Sequence, residues 1–339
     1  MKGNMKKWAA DQIAVKNKKA IPILSFPSIS LMGIGVAELI RSSENQARGM
    51  KLIAERVDSG ASLSMMDLSV EAEAFGSDII FTEGEVPTVS GSIVNSLEDA
   101  EALGIPEVGR GRTGIYVEAI QRAATLISDR PVFAGVIGPF SLAGRLMDVS
   151  EALMNCIAEP EMVHRTMCKT TDFLISYIRA YKDTGAGGVV IAEPLTGLLS
   201  PELAENFSEP YLREIVDALQ DDGFIVIYHN CGNNTILMID SILRTGAAGF
   251  HFGNAIKMAD MMPHIPADRF AMGNVDPASQ FRNGTPESIY ENTLRIMGEC
   301  CEKFPNFIIS SGCDIPPLSG WDNIDAFFRA VKSYYNGSR

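Results

Sequence analysis

Short apolar, β-branched runs alternate along this chain with longer stretches in which apolar residues recur every three to four positions. The runs cover residues 20–26, 62–68, 132–137, 188–192, 224–228, 249–252, 270–273 and 307–310, and each reads as a strand. Helical patterning covers 44–58, 113–128, 160–183, 201–221, 235–245, 286–303 and 321–335. Several of these helices have clear entry signals, such as Ser200-Pro201 and Thr285-Pro286, where the hydroxyl caps and proline takes the first helical position. Strand and helix alternating about eight times predict a parallel sheet, and closing that sheet gives a (β/α)8 TIM barrel. Residues 71–92 depart from the alternation and read as an added hairpin after the second strand, placed to cover the barrel mouth. There is no low-complexity segment or Pro/Gly/Ser-rich linker, so a single domain over residues 1–339 is the simpler organisation.

Barrel enzymes place their chemistry at the carboxyl ends of the strands. Here those points carry residues 139–142, Glu193-Pro194, residues 229–232, 251–254 and 274–276, and Cys313-Asp314. The run 224–228 ends in His229-Asn230-Cys231-Gly232, and the last run leads into Ser311-Gly312-Cys313. Residues two apart in a strand face the same side, so the His229 imidazole and the Cys231 thiolate can share one ion, with Cys313 arriving from a distant strand. Three protein ligands and a free fourth position are the pattern of a catalytic zinc. A structural zinc usually has four ligands, often from paired C-x-x-C hairpins, which this chain lacks. A buried cysteine taken singly is more often a small hydrophobe; the joint position at two strand ends carries the zinc reading.

Composition narrows the partners. With 29 basic against 42 acidic residues the net charge is -13, which repels phosphate backbones and anionic lipid surfaces, so neither nucleic acid nor a membrane is expected to bind. Residues 16–40 have a basic start and an apolar continuation, like an export signal or anchor. Pro22, Pro27, serines and Glu38 interrupt that stretch, and it reads instead as a buried strand and loop. Six cysteines scattered without a short-range framework indicate a reducing compartment, and the cytoplasm is expected.

Five segments spanning nearly the whole chain carry a further signal: Gly-Pro-Phe-Ser-Leu-Ala from Gly138, Ala-Glu-Pro from Ala192 with Leu-Ser-Pro from Leu199, His-Asn-Cys-Gly from His229, Gly-Asn-Val-Asp-Pro from Gly273 and Gly-Cys-Asp-Ile-Pro-Pro from Gly312. Together they resemble the uroporphyrinogen decarboxylase superfamily, and more closely its methylcobamide:coenzyme M methyltransferase branch. The resemblance implies zinc on His229, Cys231 and Cys313. It also implies a methylated corrinoid on a small partner protein as donor and a thiol such as coenzyme M as acceptor. A thiol is mostly protonated near pH 7, and coordination to zinc removes the proton, which makes the sulfur a competent nucleophile. The decarboxylase branch carries an arginine-rich amino-terminal segment for the substrate's carboxylates. Here residues 22–30 read Pro-Ile-Leu-Ser-Phe-Pro-Ser-Ile-Ser, with no arginine, so decarboxylation of a tetrapyrrole is not expected.

Glu193 and Asp314 are the candidate catalytic residues, filling the open zinc position at rest, orienting a ligand or hydrogen-bonding the thiol; the alternative for each is a strand-end cap. His251 is a candidate partner behind the metal ligands or a hydrogen-bonded core histidine. Asn274 and Asp276 are candidate cofactor contacts or the holders of a turn before Pro277. Arg110 and Arg112 read as a solvated loop in preference to an anion site. Gly33-Ile34-Gly35 lacks the third glycine of a nucleotide fingerprint, and Cys300 and Cys301 fall within a predicted helix. Two other readings stand beside methyl transfer: a metal-free porphyrinogen decarboxylase, and a noncatalytic corrinoid- or thiol-binding homologue. The original methyl donor, the acceptor (coenzyme M, another thiol or a folate) and the assembly, a homodimer included, stay open.

Overall fold

Seven of the eight predicted strands join one parallel sheet in the computed structural model, which describes residues 3–337. The strands are β1 (Ser62–Leu63), β2 (Asp78–Ile80), β3 (Thr88–Ser90), β4 (Val132–Ile137), β5 (Gly188–Ala192), β6 (Ile225–Asn230), β7 (Gly249–Phe252), β8 (Phe270–Val275) and β9 (Phe307–Ser311). The sheet runs β1-β4-β5-β6-β7-β8-β9, and β2 and β3 form a separate antiparallel hairpin. Chain order is therefore sheet order, as the βα repeat of a barrel requires.

The expected first strand, residues 20–26, closes the gap between β9 and β1 without forming a regular ladder. The Ile21 amide donates to the Ile309 carbonyl at 3.1 Å, and the Gly60 amide donates to the Ala20 carbonyl at 3.0 Å. Pro22 has no amide hydrogen, and the Ile23 amide donates to the Ser311 hydroxyl rather than to a backbone carbonyl. The second strand also shortens, from 62–68 to two residues. The Ser64 hydroxyl accepts from the Gly135 amide in place of a carbonyl, and the Met66 amide turns to the Asp314 carboxylate.

Residues with one parity fill the barrel: Ile21, Ile23, Leu63, Phe133, Val190, Ala192, Ile225, Ile227, Phe270, Met272 and Ile308 form one buried cluster. The other parity, including Val189, Ile191, Val226, Tyr228 and Phe250, packs against the helices. An unpredicted helix, Met5–Ala14, corks the amino end of the barrel, with the Trp8 ring 5.5 Å from that of Phe133 and 6.0 Å from that of Phe270. Continued toward the mouth, the inward parity turns polar: His229 and Cys231 follow Ile225 and Ile227, and Ser310 follows Ile308.

Other elements differ from expectation in instructive ways. The helix predicted over 201–221 breaks at Ser208 into Pro201–Phe207 and Glu209–Leu219, because Pro210 begins a new first turn. The segment 71–92 opens with helical residues, as part of Val70–Phe75, and only then forms the β2/β3 hairpin. The loop of that hairpin lies against the segments after β8 and β9, with Glu85 3.6 Å from Arg282 and Gly84 beside Leu318. After β4, two short helices, Pro139–Met147 and Val149–Ala158, precede the long predicted helix Pro160–Asp183. Within residues 16–40 lie two more short helices, Ser28–Met32 and Val36–Ile40. No described helix is long and apolar enough to cross a membrane.

Arg112, expected in a solvated loop, is buried. Its guanidinium pairs with Asp67, donates to Glu73 at 2.6 Å and to the Ser69 hydroxyl at 2.7 Å, and lies over the Phe81 ring of the hairpin. Asp67 also accepts from the Tyr116 hydroxyl at 2.7 Å, so one ion network ties the end of β1, the hairpin and the 113–126 helix together. Arg110 is exposed, as expected.

Nearby, Glu71 accepts from the Ile137 amide with one oxygen, and the other is sealed from solvent without a partner. Burial above all pushes its pKa up to about 8. Between its ordinary value near 4.5 and about 8 the unfolded chain has lost a proton that the folded chain retains, so this group's contribution to stability falls as pH rises, by up to about 1.4 kcal/mol per pH unit. Urea denaturation should show Glu71→Gln gaining on the parent protein between pH 5 and pH 8. A gap independent of pH would contradict this.

Candidate metal centre

His229, Cys231 and Cys313 meet at the mouth, with all three ligand atoms within 4.8 Å of one another. They are the group of this kind found among the described residues. The first two arrive on the inward parity of β6, and Cys313 two residues beyond β9. Cys313 Sγ lies 3.5 Å from His229 Nε2. Tetrahedral zinc at its usual bond lengths would set an N–S separation of about 3.5 Å, so the donors fit that ion in type, and the Cys313–His229 pair in spacing as well. The sulfurs already act as a pair: a hydrogen bond from Cys313, above all, pulls Cys231 well below the ordinary thiol value, and Cys313 is pushed correspondingly high.

A chain of hydrogen bonds fixes which nitrogen of His229 faces the sulfurs. His251 Nε2 lies 2.8 Å from the Ser311 carbonyl and 2.9 Å from the Ser310 hydroxyl, which itself donates to the Ile21 carbonyl. Both are acceptors there, so Nε2 carries the hydrogen and Nδ1 of His251 is a bare acceptor. That Nδ1 is 2.7 Å from His229 Nδ1, which must donate to it, and the lone pair on His229 Nε2 is left for a metal. Burial holds the His251 pKa well below the usual histidine range, in keeping with a neutral ring. His251→Ala should weaken zinc binding about 10- to 100-fold, as read by competition with a chromophoric chelator. Unchanged affinity would remove His251 from the centre.

Neighbouring loops hold the two sides of the centre in place. Gly253 lies so close to Cys231 that an added Cβ would come within 2.5 Å of the cysteine's Cβ. Asn274 fixes that loop by donating to the Gly253 and Ile256 carbonyls, both at 2.8 Å. Asn230, which sequence reasoning passed over, accepts from the Gly232 amide and the Thr235 hydroxyl and so shapes the turn that carries Cys231. Asp276 accepts from the Ala278 and Ser279 amides and caps the turn that follows. The contacts of Asn274 and Asp276 are thus within the loops.

Glu193 has the outward parity of Val189 and Ile191, so its carboxylate turns away from the barrel interior. It accepts from the Phe140 and Ser141 amides at 3.0 Å each and from the Ser141 and Thr196 hydroxyls. A Cβ on Gly138 would collide with it, so the strand-to-helix turn needs glycine there. These are the contacts of a cap on the 139–147 helix. Burial raises the Glu193 pKa to about 7 against these hydrogen bonds. Asp314 sits beside Cys313, accepts from the Met66 amide at 2.7 Å, and keeps its other oxygen sealed and unpartnered. Burial pushes it up to about 8.

A profile of the uroporphyrinogen decarboxylase (URO-D) family matches residues 28–334. The chain belongs to that family. Within the family its similarity is divided. It is 27% identical over 278 residues to the methylcobamide:CoM methyltransferase MtbA of Methanosarcina acetivorans, covering 79% of this chain and 78% of that protein. It is 30% identical over 235 residues to a uroporphyrinogen decarboxylase of Myxococcus xanthus, covering 67% and 66%. Among solved structures, a methyltransferase from Methanosarcina mazei superposes with a TM-score of 0.85 at 21% identity, covering 98% of this chain and 99% of that one. A B12-independent methionine synthase from Shewanella sp. W3-18-1 superposes with a TM-score of 0.58 at 13% identity over 89% of each chain. These likenesses agree with the barrel derived above.

Proposed function

We propose that this chain is a zinc-dependent methyltransferase that moves a methyl group from a methylated corrinoid, carried by a partner protein, to the sulfur of a small thiol such as coenzyme M. The observation that carries the reading is the convergence of His229, Cys231 and Cys313, one imidazole and two thiolates, at the end of a barrel. Zinc bound there would act as a Lewis acid that stabilises the acceptor as thiolate, and two thiolate ligands would keep that sulfur electron-rich. In the transfer a C–S bond forms as the C–Co bond breaks, the electron pair stays on cobalt, and the thiol's proton is released. The protein's own part is to hold the donors. The Ser311, His251 and His229 line aims one nitrogen, and Gly253 and Asn230 hold the Cys231 turn. The similarity to methylcobamide:CoM methyltransferases supports the same choice.

The rim favours a macromolecular donor. Ile80, Leu198, Leu237 and Leu318 are 51%, 52%, 65% and 54% exposed, and they lie in the segments that follow β1, β5, β6 and β9. A large donor docking over the carboxyl ends of the strands would cover these side chains. A porphyrinogen, by contrast, would find no arginine in residues 22–30.

Protein purified without chelator should contain about one zinc per chain. Calorimetry in buffers of different ionisation enthalpy should show about one proton released when a small thiol binds near neutral pH. Methylcobalamin absorbance follows the demethylation. Metal-loaded protein that neither binds nor methylates any thiol would end the proposal in favour of a folate acceptor or a noncatalytic role.

A further inference from the structure

Cys231 and Cys313 are a matched pair of thiols as well as candidate ligands. They come from separate staves of the barrel, yet their sulfurs lie within 4.8 Å of each other, and the Cys313 thiol hydrogen-bonds to Cys231. Gly253 is what allows the two arms to close in. A Cβ added there would come within 2.5 Å of the Cys231 Cβ and 3.2 Å of the Gly312 carbonyl oxygen, so the residue between the two arms has to be glycine. The other four cysteines are placed differently, in helices or at their ends: Cys156 and Cys300 are buried, Cys301 lies 3.9 Å from the Tyr335 hydroxyl, and Cys168 is exposed on the Pro160–Asp183 helix.

Neither cysteine lies in a ladder. Cys231 is the first residue past β6, and Cys313 follows Gly312 in a bend beyond β9. Both are only half-buried, which lets a small oxidant reach the sulfurs. A disulfide has an S–S bond of about 2.05 Å and Cβ atoms about 3.5–4.5 Å apart. From within 4.8 Å, side-chain rotation and a small adjustment of two loop ends supply that approach. A bound metal ion prevents it, because a thiolate on zinc keeps its donor pair on the ion and its sulfur at the corner of a tetrahedron.

We propose that in the metal-free chain Cys231 and Cys313 close a reversible disulfide, so that the centre has two exclusive states, a metal-loaded dithiolate and an oxidised form that cannot take up the metal. With a peroxide as oxidant, one sulfur attacks a peroxide oxygen, the O–O bond breaks, and a sulfenic acid forms with release of one water or alcohol. The second sulfur then attacks the first, the S–O bond breaks and water leaves. Each sulfur gives up one electron, the peroxide takes both, and the two thiol protons end in the oxygen products. A reducing thiol reopens the bond through a mixed disulfide. None of these steps needs a methyl donor or acceptor, so the pair can be tested apart from the methyl-transfer reading.

The test uses the full chain carrying Cys168→Ser, which removes the exposed competitor and leaves five of the six cysteines. Metal is stripped by a chelator under reductant, and both reagents are then removed. Hydrogen peroxide at low protein concentration should lower the thiol count of the denatured chain by two, and digestion without reductant should yield one peptide pair joining Cys231 to Cys313. Dithiothreitol should restore both thiols and, with them, zinc uptake as read by a chromophoric chelator. Protein loaded with zinc beforehand should lose thiols at least about tenfold more slowly, since only the metal-free fraction can close the bond. Cys231→Ser and Cys313→Ser should each abolish the cross-link; should either variant fail to fold, the peptide map of the parent decides alone. A sulfinic acid on either cysteine in place of the link, a link between other cysteines, or a link formed as fast with zinc bound would overturn the proposal.

Discussion

Cys313→Ala is expected to strip the centre of zinc while leaving the barrel folded. Two observations fix the expectation. Cys313 lies beyond the end of β9 and is only partly buried, whereas the fold is held by the inward cluster from Ile21 to Ile308 and by a larger cluster under the helices. Cys313 is one of only three side chains in the proposed ligand set, so its loss would remove a third of the protein donors and one of the two thiolates. Zinc affinity should fall by more than about a hundredfold, with methyl transfer lost alongside it. Elemental analysis and circular dichroism read the two sides separately: a full complement of zinc in a folded variant would remove Cys313 from the ligand set.

Arg112→Met should cost stability of about 3–5 kcal/mol, because it leaves the Asp67 carboxylate buried with only neutral donors. Adding Asp67→Asn removes the stranded charge and should recover part of the loss, a coupling that a double-mutant cycle in urea would measure. Because the guanidinium also touches Glu73 and Phe81, the hairpin is expected to become accessible to protease in the single variant. A loss below about 1 kcal/mol would show that the network is incidental.

The alternation of strands and helices was legible because parallel strands buried on both faces leave unmistakable apolar runs. The clustering of the candidate ligands was legible because parity alone brings His229 and Cys231 to one face. Parity also governs Glu193, four residues before Gly197 and one beyond β5, and counting from Val189 would have turned it outward. Pro22, with no amide hydrogen to give a ladder, is the local signal of the irregular first stave. The remaining differences depend on pairings across the chain. Arg112 meets Asp67 over 45 residues, and the Met66 amide meets Asp314 over 248, so neither interaction has a local signature. Without them Arg112 resembles any arginine in a glycine-rich loop, and the strand at 62–68 has no reason to stop early.

The helix that corks the barrel has a consequence for traffic. With the Trp8 ring packed against Phe133 and Phe270 at the amino end, the metal, acceptor and donor of the proposed reaction would all enter by the mouth. Under the proposed reaction a corrinoid protein seated on the apolar rim would shut that doorway, so the small thiol has to be inside first. The cork thus imposes an order of arrival, acceptor before donor, and makes departure of the large partner the event that frees the product.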